Sequence, residues 1–395
     1  MKLLLLNTLY HPNVQGGAEK IVRIISEGLL GAGHEIAVVS LRPESGVVKA
    51  QVDGVRVYYV GLKNVYWPYT PKKRNRLLKP LWHLANSYNL LMAGDLDNIL
   101  AAEKPDVVNT HMLSGFSCAA WSTIKRRHIP IVHTLHDHGL MCIRHVMSRR
   151  SGNCDGQCAA CSACAAPAKH SSGLVDKVVG VSRYLLQRHL EAGYFANATS
   201  HTVIYNGLPG RARQAASQKD ANVLCIGFVG RLVPEKGIEM LLSAVSALPQ
   251  NGCRLVIAGA GDPDYERQLR NRFPMTNIEF LGHVDAEIAY KQIDLLVVPS
   301  LCNDSLPTVV MEAYRNGIPV IASDRGGLPE MVEHGRTGYV FPYREAESLQ
   351  AYLAAVLQRP ALLRKLGDAA REKYGMYRDT RMVGEYESLL MQSIG

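Results

Sequence analysis

Arg231 and Lys236 stand five positions apart, just after an apolar and β-branched run from Val223 to Val229 that stops at Gly230. An amphipathic helix is expected to begin near Ile238. A strand that hands over to a helix leaves backbone N–H groups exposed at the helix N-terminus, and these favour an anion. Arg231 can fork onto phosphate oxygens, while Lys236 adds a mobile point charge. Alone, the pair also reads as a surface turn with two solvated cations. A second constellation lies further along. Asp304 and Glu312 follow the strand-like run Asp294 to Pro299, with Pro307 suited to a first helical turn. Asp304 is thus expected in a strand-to-helix loop, and Glu312 on the helix. Singly they read as a cap and a solvated acid; together they line the carboxyl end of a sheet, where open α/β folds bind ligands. Carboxylates only accept hydrogen bonds, which suits the hydroxyls of a ribose or hexose. The combination favours a nucleotide-sugar site.

With those residues in view, the chain resembles family 4 of the retaining GT-B glycosyltransferases. The resemblance rests on Gly230-Arg231-Leu232 with Pro234-Glu235-Lys236-Gly237, on Asp304 with seven residues between it and Glu312-Ala313, and on Gly326-Gly327-Leu328-Pro329-Glu330. In the N-terminal half it rests on Gly16-Gly17-Ala18-Glu19, Thr134-Leu135-His136-Asp137 and Gly180-Val181-Ser182, with Asn206-Gly207 at the crossover. It covers nearly the whole chain. One departure is that the family usually carries Glu where Asp304 stands, so the charge is kept and one methylene of reach is lost.

The 395 residues suffice for two domains. Alternating strands and helices imply parallel sheets covered by helices. The expected fold class is α/β, and the resemblance implies GT-B: two doubly wound, Rossmann-like domains facing across a cleft. The expected boundaries are an N-terminal, acceptor-side domain over 1–205, a linker over 206–222, a nucleotide-sugar domain over 223–376, and a final helix over 377–395 crossing back to the N-terminal domain. Met1 to Leu6 is too short an apolar run for a signal peptide and reads as a buried first strand. No stretch matches a membrane span. The expected location is the cytoplasm, or the inner face of the cytoplasmic membrane.

The formal charge of +9 is uneven. Residues 1–200 hold 23 Lys and Arg against 13 Asp and Glu, and the remainder hold 21 against 22. Part of the excess is Lys72, Lys73, Arg74, Arg76 and Lys79, interleaved with Tyr66, Trp67, Tyr69, Leu77, Leu78, Leu81 and Trp82. Such a mixture suits an anionic lipid surface; a solvated helix or a protein-binding patch has the same composition.

Five of the nine cysteines crowd together: Cys142, Cys154, Cys158, Cys161 and Cys164. The spacing of the last four offers thiolates to a structural zinc or an iron–sulfur cluster, with His138 and His145 nearby, and equally allows a disulfide or unlinked thiols. Cys118, Cys225, Cys253 and Cys302 read as small buried hydrophobes.

The resemblance implies hexosyl transfer from a nucleoside diphosphate sugar to a hydroxyl of a glycan or lipid-linked acceptor, with retention, in bacterial polysaccharide assembly. It places Arg231 and Lys236 on the diphosphate, helped by backbone near Gly230, Thr308 and Val309 and by the Gly16-Gly17 loop. Glu312 would hold the ribose, Asp304 the sugar, and His136 the sugar near its reacting carbon. The base would rest by His283 and Val284. No catalytic metal, cofactor or nucleic-acid partner is expected. The alternatives are a sugar-nucleotide epimerase of the same fold and a zinc-containing nucleic-acid-binding protein.

Overall fold

The computed structural model describes residues 1–14, 16–69, 77–149, 152–210 and 223–394. The basic run 72–76 and most of the expected linker, 211–222, fall outside the described residues. The chain divides into two compact units. The first comprises Met1–Met147, Cys154–Pro209 and Asp379–Gly395; the second comprises Ser148–Asn153 and Gly210–Arg378.

Strands β1 (Lys2–Leu6), β2 (Glu35–Arg42), β3 (Val47–Val52), β4 (Val55–Gly61), β5 (Val107–Thr110) and β6 (Ile131–Leu135) are followed by a short hairpin, β7 (Ser148–Arg149) and β8 (Gly152–Asn153). Then come β9 (Lys177–Gly180) and β10 (Ser200–Val203). Apart from the hairpin, these form one sheet ordered β10-β9-β6-β5-β1-β2-β4-β3, parallel except for the antiparallel β3/β4 edge. Leu3 to Leu6 are wholly buried. A continuous apolar run of this kind marks a strand covered on both faces. The helix Gly17–Gly31 packs against the C-terminal helix Asp379–Met391. His34 Nε2 meets Glu387 Oε1 at 2.7 Å, and buried Tyr386 donates to Thr134 Oγ1 at 3.3 Å.

The second unit holds β11 (Leu224–Val229), β12 (Cys253–Ala258), β13 (Ile278–Gly282), β14 (Leu295–Val298), β15 (Val320–Ser323) and β16 (Gly338–Phe341). They form an all-parallel sheet ordered β13-β12-β11-β14-β15-β16. Its core packs Ile226, Phe228, Leu241, Leu255, Leu295, Ile321 and Leu349. The hairpin Ser148–Asn153 belongs here by its contacts, with Asn153 Nδ2 donating to Leu301 O at 2.7 Å.

In each sheet the strand order reverses direction once, between β1 and β5 in the first and between β11 and β14 in the second. At such a reversal, neighbouring connections leave the strand ends on opposite faces and open a crevice at their carboxyl ends. The fold class expected from the sequence, two doubly wound parallel α/β units, is thus borne out.

Candidate active site

The second sheet's reversal point gathers the residues named first. Arg231 and Lys236 follow β11, and Asp304 follows β14. Lys236 Nζ lies 2.6 Å from Asp304 Oδ1, with the side chains 24% and 16% exposed. Ser300 Oγ donates to Asp304 Oδ2 at 2.6 Å. Burial, the largest single influence, lowers Lys236, but the Asp304 charge and hydrogen bond together with Cys302 hold the ammonium above its ordinary range. Arg231 is exposed.

Two glycines allow this meeting. Gly237 has φ +72°, and a Cβ there would lie 1.9 Å from Pro299 O; Gly326 has φ +57°, and a Cβ there would lie 2.0 Å from Asp304 O. Only a residue without a Cβ lets the β11 and β15 loops close on the β14 loop. Backbone bonds complete the clamp, from Leu301 N to Glu235 O at 2.9 Å and from Gly327 N to Asp304 O at 2.8 Å.

Thr308 and Val309 open the helix Thr308–Arg315, with Pro307 as its cap residue. One turn on, Glu312 Oε2 accepts from Tyr290 OH at 2.8 Å, and the same hydroxyl reaches Val309 O at 3.2 Å. Burial, then the Glu312 charge, push the Tyr290 phenol well above its ordinary range. It therefore stays a donor that aims the carboxylate. Tyr290 and Ser300 were not expected at the site, because single polar residues in apolar surroundings carry no spacing signal. His283 is exposed just beyond β13 and Val284 is half-buried beside it.

In the first unit Gly16 caps the helix Gly17–Gly31, and both glycines are exposed. Glu19 Oε2 accepts from Gly16 N at 2.9 Å, the carboxylate half of a capping box, which ties the glycine loop to the first turn of the helix. Burial raises the Glu19 carboxyl. His136 follows β6, and its Nε2 lies 2.9 Å from Nδ1 of His111, which follows β5. Burial lowers His136 to about 4 and drives His111 well below the imidazole range, so both rings are neutral. Asp137 accepts from Gly139 N at 2.7 Å and meets His145 Nδ1 at 2.8 Å. Burial alone would raise Asp137, but His145 and the Gly139 amide bring it below its ordinary range. The Asp137 charge in turn raises His145.

Family comparison decides what these two units belong to. Residues 15–209 match the family described as Glycosyltransferase Family 4, and residues 211–373 match Glycosyl transferases group 1. A Klebsiella pneumoniae protein described as an uncharacterized 42.6 kDa protein in cps region is 32% identical over 331 residues, 84% of this chain and 87% of that one. This chain is a family 4 glycosyltransferase. Among solved structures, the transferase is similar to sucrose-phosphate synthase from Thermosynechococcus elongatus, with TM-score 0.78 and 22% identity over 99% of this chain and 98% of that one. It is also similar to Anabaena HepE in complex with UDP, with TM-score 0.72 and 18% identity over 99% and 100% of the two chains. At such identity these two likenesses are of fold.

Two expectations need correction. The cluster Cys154, Cys158, Cys161 and Cys164, whose spacing left zinc open beside a disulfide or unlinked thiols, gives zinc no support: among the described residues no three His, Cys, Asp or Glu side chains converge as metal ligands. Cys161 and Cys164 ride on the helix Ala159–Ser171, with Cys158 at its cap. A helix that begins inside the motif spreads its thiols along its length instead of folding them round one point. None of the nine cysteines forms a disulfide, and Cys161 Sγ instead lies 3.9 Å from Cys142 Sγ. Without zinc, the nucleic-acid alternative loses its main support. The second correction concerns Trp82. It is buried, with its indole donating to Tyr66 O at 3.1 Å, and so presents nothing to lipid. The helix Leu78–Ser87 instead exposes Leu81 at 53% and Leu84 at 70%, with Leu77 at 79% just before it. Their spacing of four and three residues makes one apolar stripe. Among the described residues no helix is long and apolar enough to cross a membrane.

Proposed function

We propose that this transferase moves a hexosyl group from a nucleoside diphosphate sugar, with retention, to a hydroxyl of a glycan or lipid-linked acceptor in bacterial polysaccharide assembly. The carrying observation is the Lys236–Asp304 pair at the β11/β14 reversal, with exposed Arg231 on the same loop. An ammonium has three donors; one is committed to Asp304, and two remain for diphosphate oxygens. Arg231 adds a fork, and the amides opening the helix Thr308–Arg315 add a helix N-terminus. Fixed donors facing the charge that develops on the departing diphosphate are the main catalytic term in this chemistry. The leaving phosphate takes the acceptor's proton, so no covalent nucleophile and no metal is assigned.

In this reading Glu312, aimed by Tyr290, holds the ribose, and Asp304 keeps lone pairs for the sugar hydroxyls. Backbone at His283 and Val284 holds the base, and the Gly16-Gly17 loop approaches the phosphates. His136, a neutral imidazole, meets the sugar. Support for a uridine donor comes from the HepE neighbour, described in complex with UDP. Support for the polysaccharide setting comes from the Klebsiella relative, described as lying in a cps region. The exposed leucine stripe supports a peripheral place at a membrane surface, where an acceptor carried on lipid would be met.

The test is a thermal-shift screen of UDP-, GDP- and ADP-sugars. A ligand at about a hundred times its dissociation constant adds about 2.7 kcal/mol. That is roughly 5–10 °C for a unit of this size. If no nucleoside diphosphate sugar or free diphosphate moves the transition, the reading fails.

A further inference from the structure

The helix Ala159–Ser171 opens on two thiols that sugar transfer does not use. Cys158 is its cap residue and Cys161 lies three positions on, so Cys158-Ala159-Ala160-Cys161 spans the first turn. Cys158 is half-buried, while Cys161 is 8% exposed. A Cys-x-x-Cys pair with one thiol within reach of solvent and the other buried suits thiol–disulfide exchange, and the amides that open a helix favour a thiolate at its cap.

A third thiol meets this pair from another element. Cys142 is 6% exposed and lies in the turn 137–145 that follows β6, with its Sγ 3.9 Å from Cys161 Sγ. Burial raises the Cys161 thiol, and hydrogen bonds with Cys158 and Cys142 add to that. Buried cysteines often serve only as small hydrophobes. Here one buried thiol has a second thiol within reach on its own helix and a third on a separate turn.

The turn is closed by its own backbone. His138 N donates to His145 O at 3.1 Å, Cys142 N to His138 O at 2.8 Å and His145 N to Cys142 O at 2.9 Å. Disulfide sulfurs sit about 2.0 Å apart, so about 1.9 Å of approach remains between Cys142 and Cys161. Cys161 is fixed in a helix, so the turn supplies most of that movement. A close-packed interior would resist the shift. A cavity of about 90 Å³, lined by Cys142 and Ile143 on the turn and by Cys161 and Cys164 on the helix, gives it room.

We propose that Cys158, Cys161 and Cys142 form a thiol–disulfide exchange site, whose oxidant is a small-molecule disulfide and whose product is a Cys142–Cys161 disulfide. The Cys158 thiolate attacks one sulfur of the oxidant; the other half leaves as a thiolate, and a mixed disulfide remains on Cys158. Cys161 gives up its proton and attacks Cys158 Sγ, expelling the second half of the oxidant. Cys142 gives up its proton and attacks Cys161 Sγ, returning Cys158 as a thiolate. In sum Cys142 and Cys161 each lose one proton and one electron, and the small disulfide takes up both pairs and leaves as two thiols. The new bond draws the turn toward the helix and His145 with it, so the link from His145 Nδ1 to Asp137 Oδ2 reports the change. On the donor reading His136 directly precedes this turn, which brings the redox state next to the sugar.

The experiment incubates the full chain with oxidised glutathione, blocks the remaining thiols with iodoacetamide in urea, and maps the unreduced tryptic digest by mass spectrometry. Trypsin cuts after Arg144 and Lys169, which puts Cys142 and Cys161 in separate peptides. Fragment ions distinguish Cys161 from Cys154, Cys158 and Cys164. The expected product is a peptide pair joined at Cys142 and Cys161 and released by dithiothreitol. Cys158→Ser should slow its formation about tenfold without moving the bond, because the exchange loses its accessible thiol. Cys142→Ser should leave the disulfide at Cys158 and Cys161. In the ¹⁵N-histidine-labelled chain the His145 resonance, assigned by its loss in His145→Gln, should shift on oxidation and return on reduction. Circular dichroism verifies that the variants fold, and the map of the parent chain depends on none of them. The proposal is overturned if Cys142 stays open to alkylation after oxidation, if only glutathione adducts form, if Cys158→Ser forms the bond at the parent rate, if Cys142→Ser forms no Cys158–Cys161 bond, or if His145 does not respond. None of these readouts uses a donor; UDP binding, measured in the same samples, tests the transferase reading separately.

Discussion

Replacing Lys236 by alanine removes the ammonium 2.6 Å from Asp304 Oδ1 and leaves that carboxylate with the Ser300 hydroxyl. A hydrogen bond to a charged group contributes about 1.5–3 kcal/mol, and breaking a deeply buried pair costs about 3–5 kcal/mol. Here the side chains remain 24% and 16% exposed, so water recovers part of the loss. The lower end applies, about 1.5–2 kcal/mol. At roughly 2–4 °C per kcal/mol for a unit of this size, the transition should fall by about 3–8 °C. Turnover should fall further, by about 10²–10³, because charge on the departing diphosphate loses a fixed cation. The two effects separate in a double-mutant cycle of Lys236→Met and Asp304→Leu, followed by urea denaturation. Lys236→Met with Asp304→Leu removes both charges and strands neither, so the double variant should cost less than the sum of the singles by about 1.5 kcal/mol. Single costs that add to within a few tenths would show that the pair contributes nothing to stability and would refute the reasoning.

Other outcomes follow from neighbouring geometry. Arg231→Ala should cut turnover by orders of magnitude while leaving the unfolding transition in place, since Arg231 is exposed; equal turnover at saturating donor would remove it from the site. Glu312→Gln should weaken affinity for free nucleoside diphosphate by about tenfold, and Tyr290→Phe, which loses the hydroxyl that aims Glu312, by a smaller factor in the same titration. Asp304→Asn should impair use of the sugar nucleotide more than affinity for the diphosphate; equal loss of diphosphate affinity in the Asp304 and Glu312 variants would contradict their separate roles. For Asp137–His145 the pH dependence has two edges. Asp137 is lowered, so its contribution is lost as pH falls through its folded value; His145 is raised, so its contribution is lost as pH rises through its own. His145→Gln should therefore lower the midpoint most in mildly acidic buffer, with the difference fading toward alkaline pH; a constant difference across the range would exclude the ion pair. Leu81→Ser with Leu84→Ser should reduce binding to anionic vesicles without changing UDP affinity, and unchanged vesicle binding would assign the stripe to another partner.

Much of the site could be read from the chain because strand-to-helix loops carry their chemistry in short motifs. Gly230 to Gly237 and Asp304 to Glu312 each lie within one loop and its helix, so spacing alone placed their residues near strand ends. The parallel class was legible for the same reason, since long apolar runs such as Leu3 to Leu6 repeat between amphipathic segments. Edge and short strands were not. Val47–Val52 is largely exposed and lacks a clean alternation, and the four-residue Lys177–Gly180 and Ser200–Val203 offer too little pattern to distinguish strand from loop. The cysteine spacing misled because ligand spacing assumes a loop that can wrap a metal, whereas Ala159–Ser171 is helical.

By itself the sequence determined which residue types stand at the ends of strands, because a turn that needs glycine and a helix that needs a cap write themselves into adjacent positions. Only the tertiary structure decided which of those ends meet. Lys236 reaches Asp304 across 68 positions because β11 and β14 are neighbours at the reversal of strand order. His111 meets His136 because β5 and β6 run parallel side by side. Neither pairing is encoded locally: each depends on which strands hydrogen-bond to one another, and that choice is set by burying the apolar faces of the whole sheet at once.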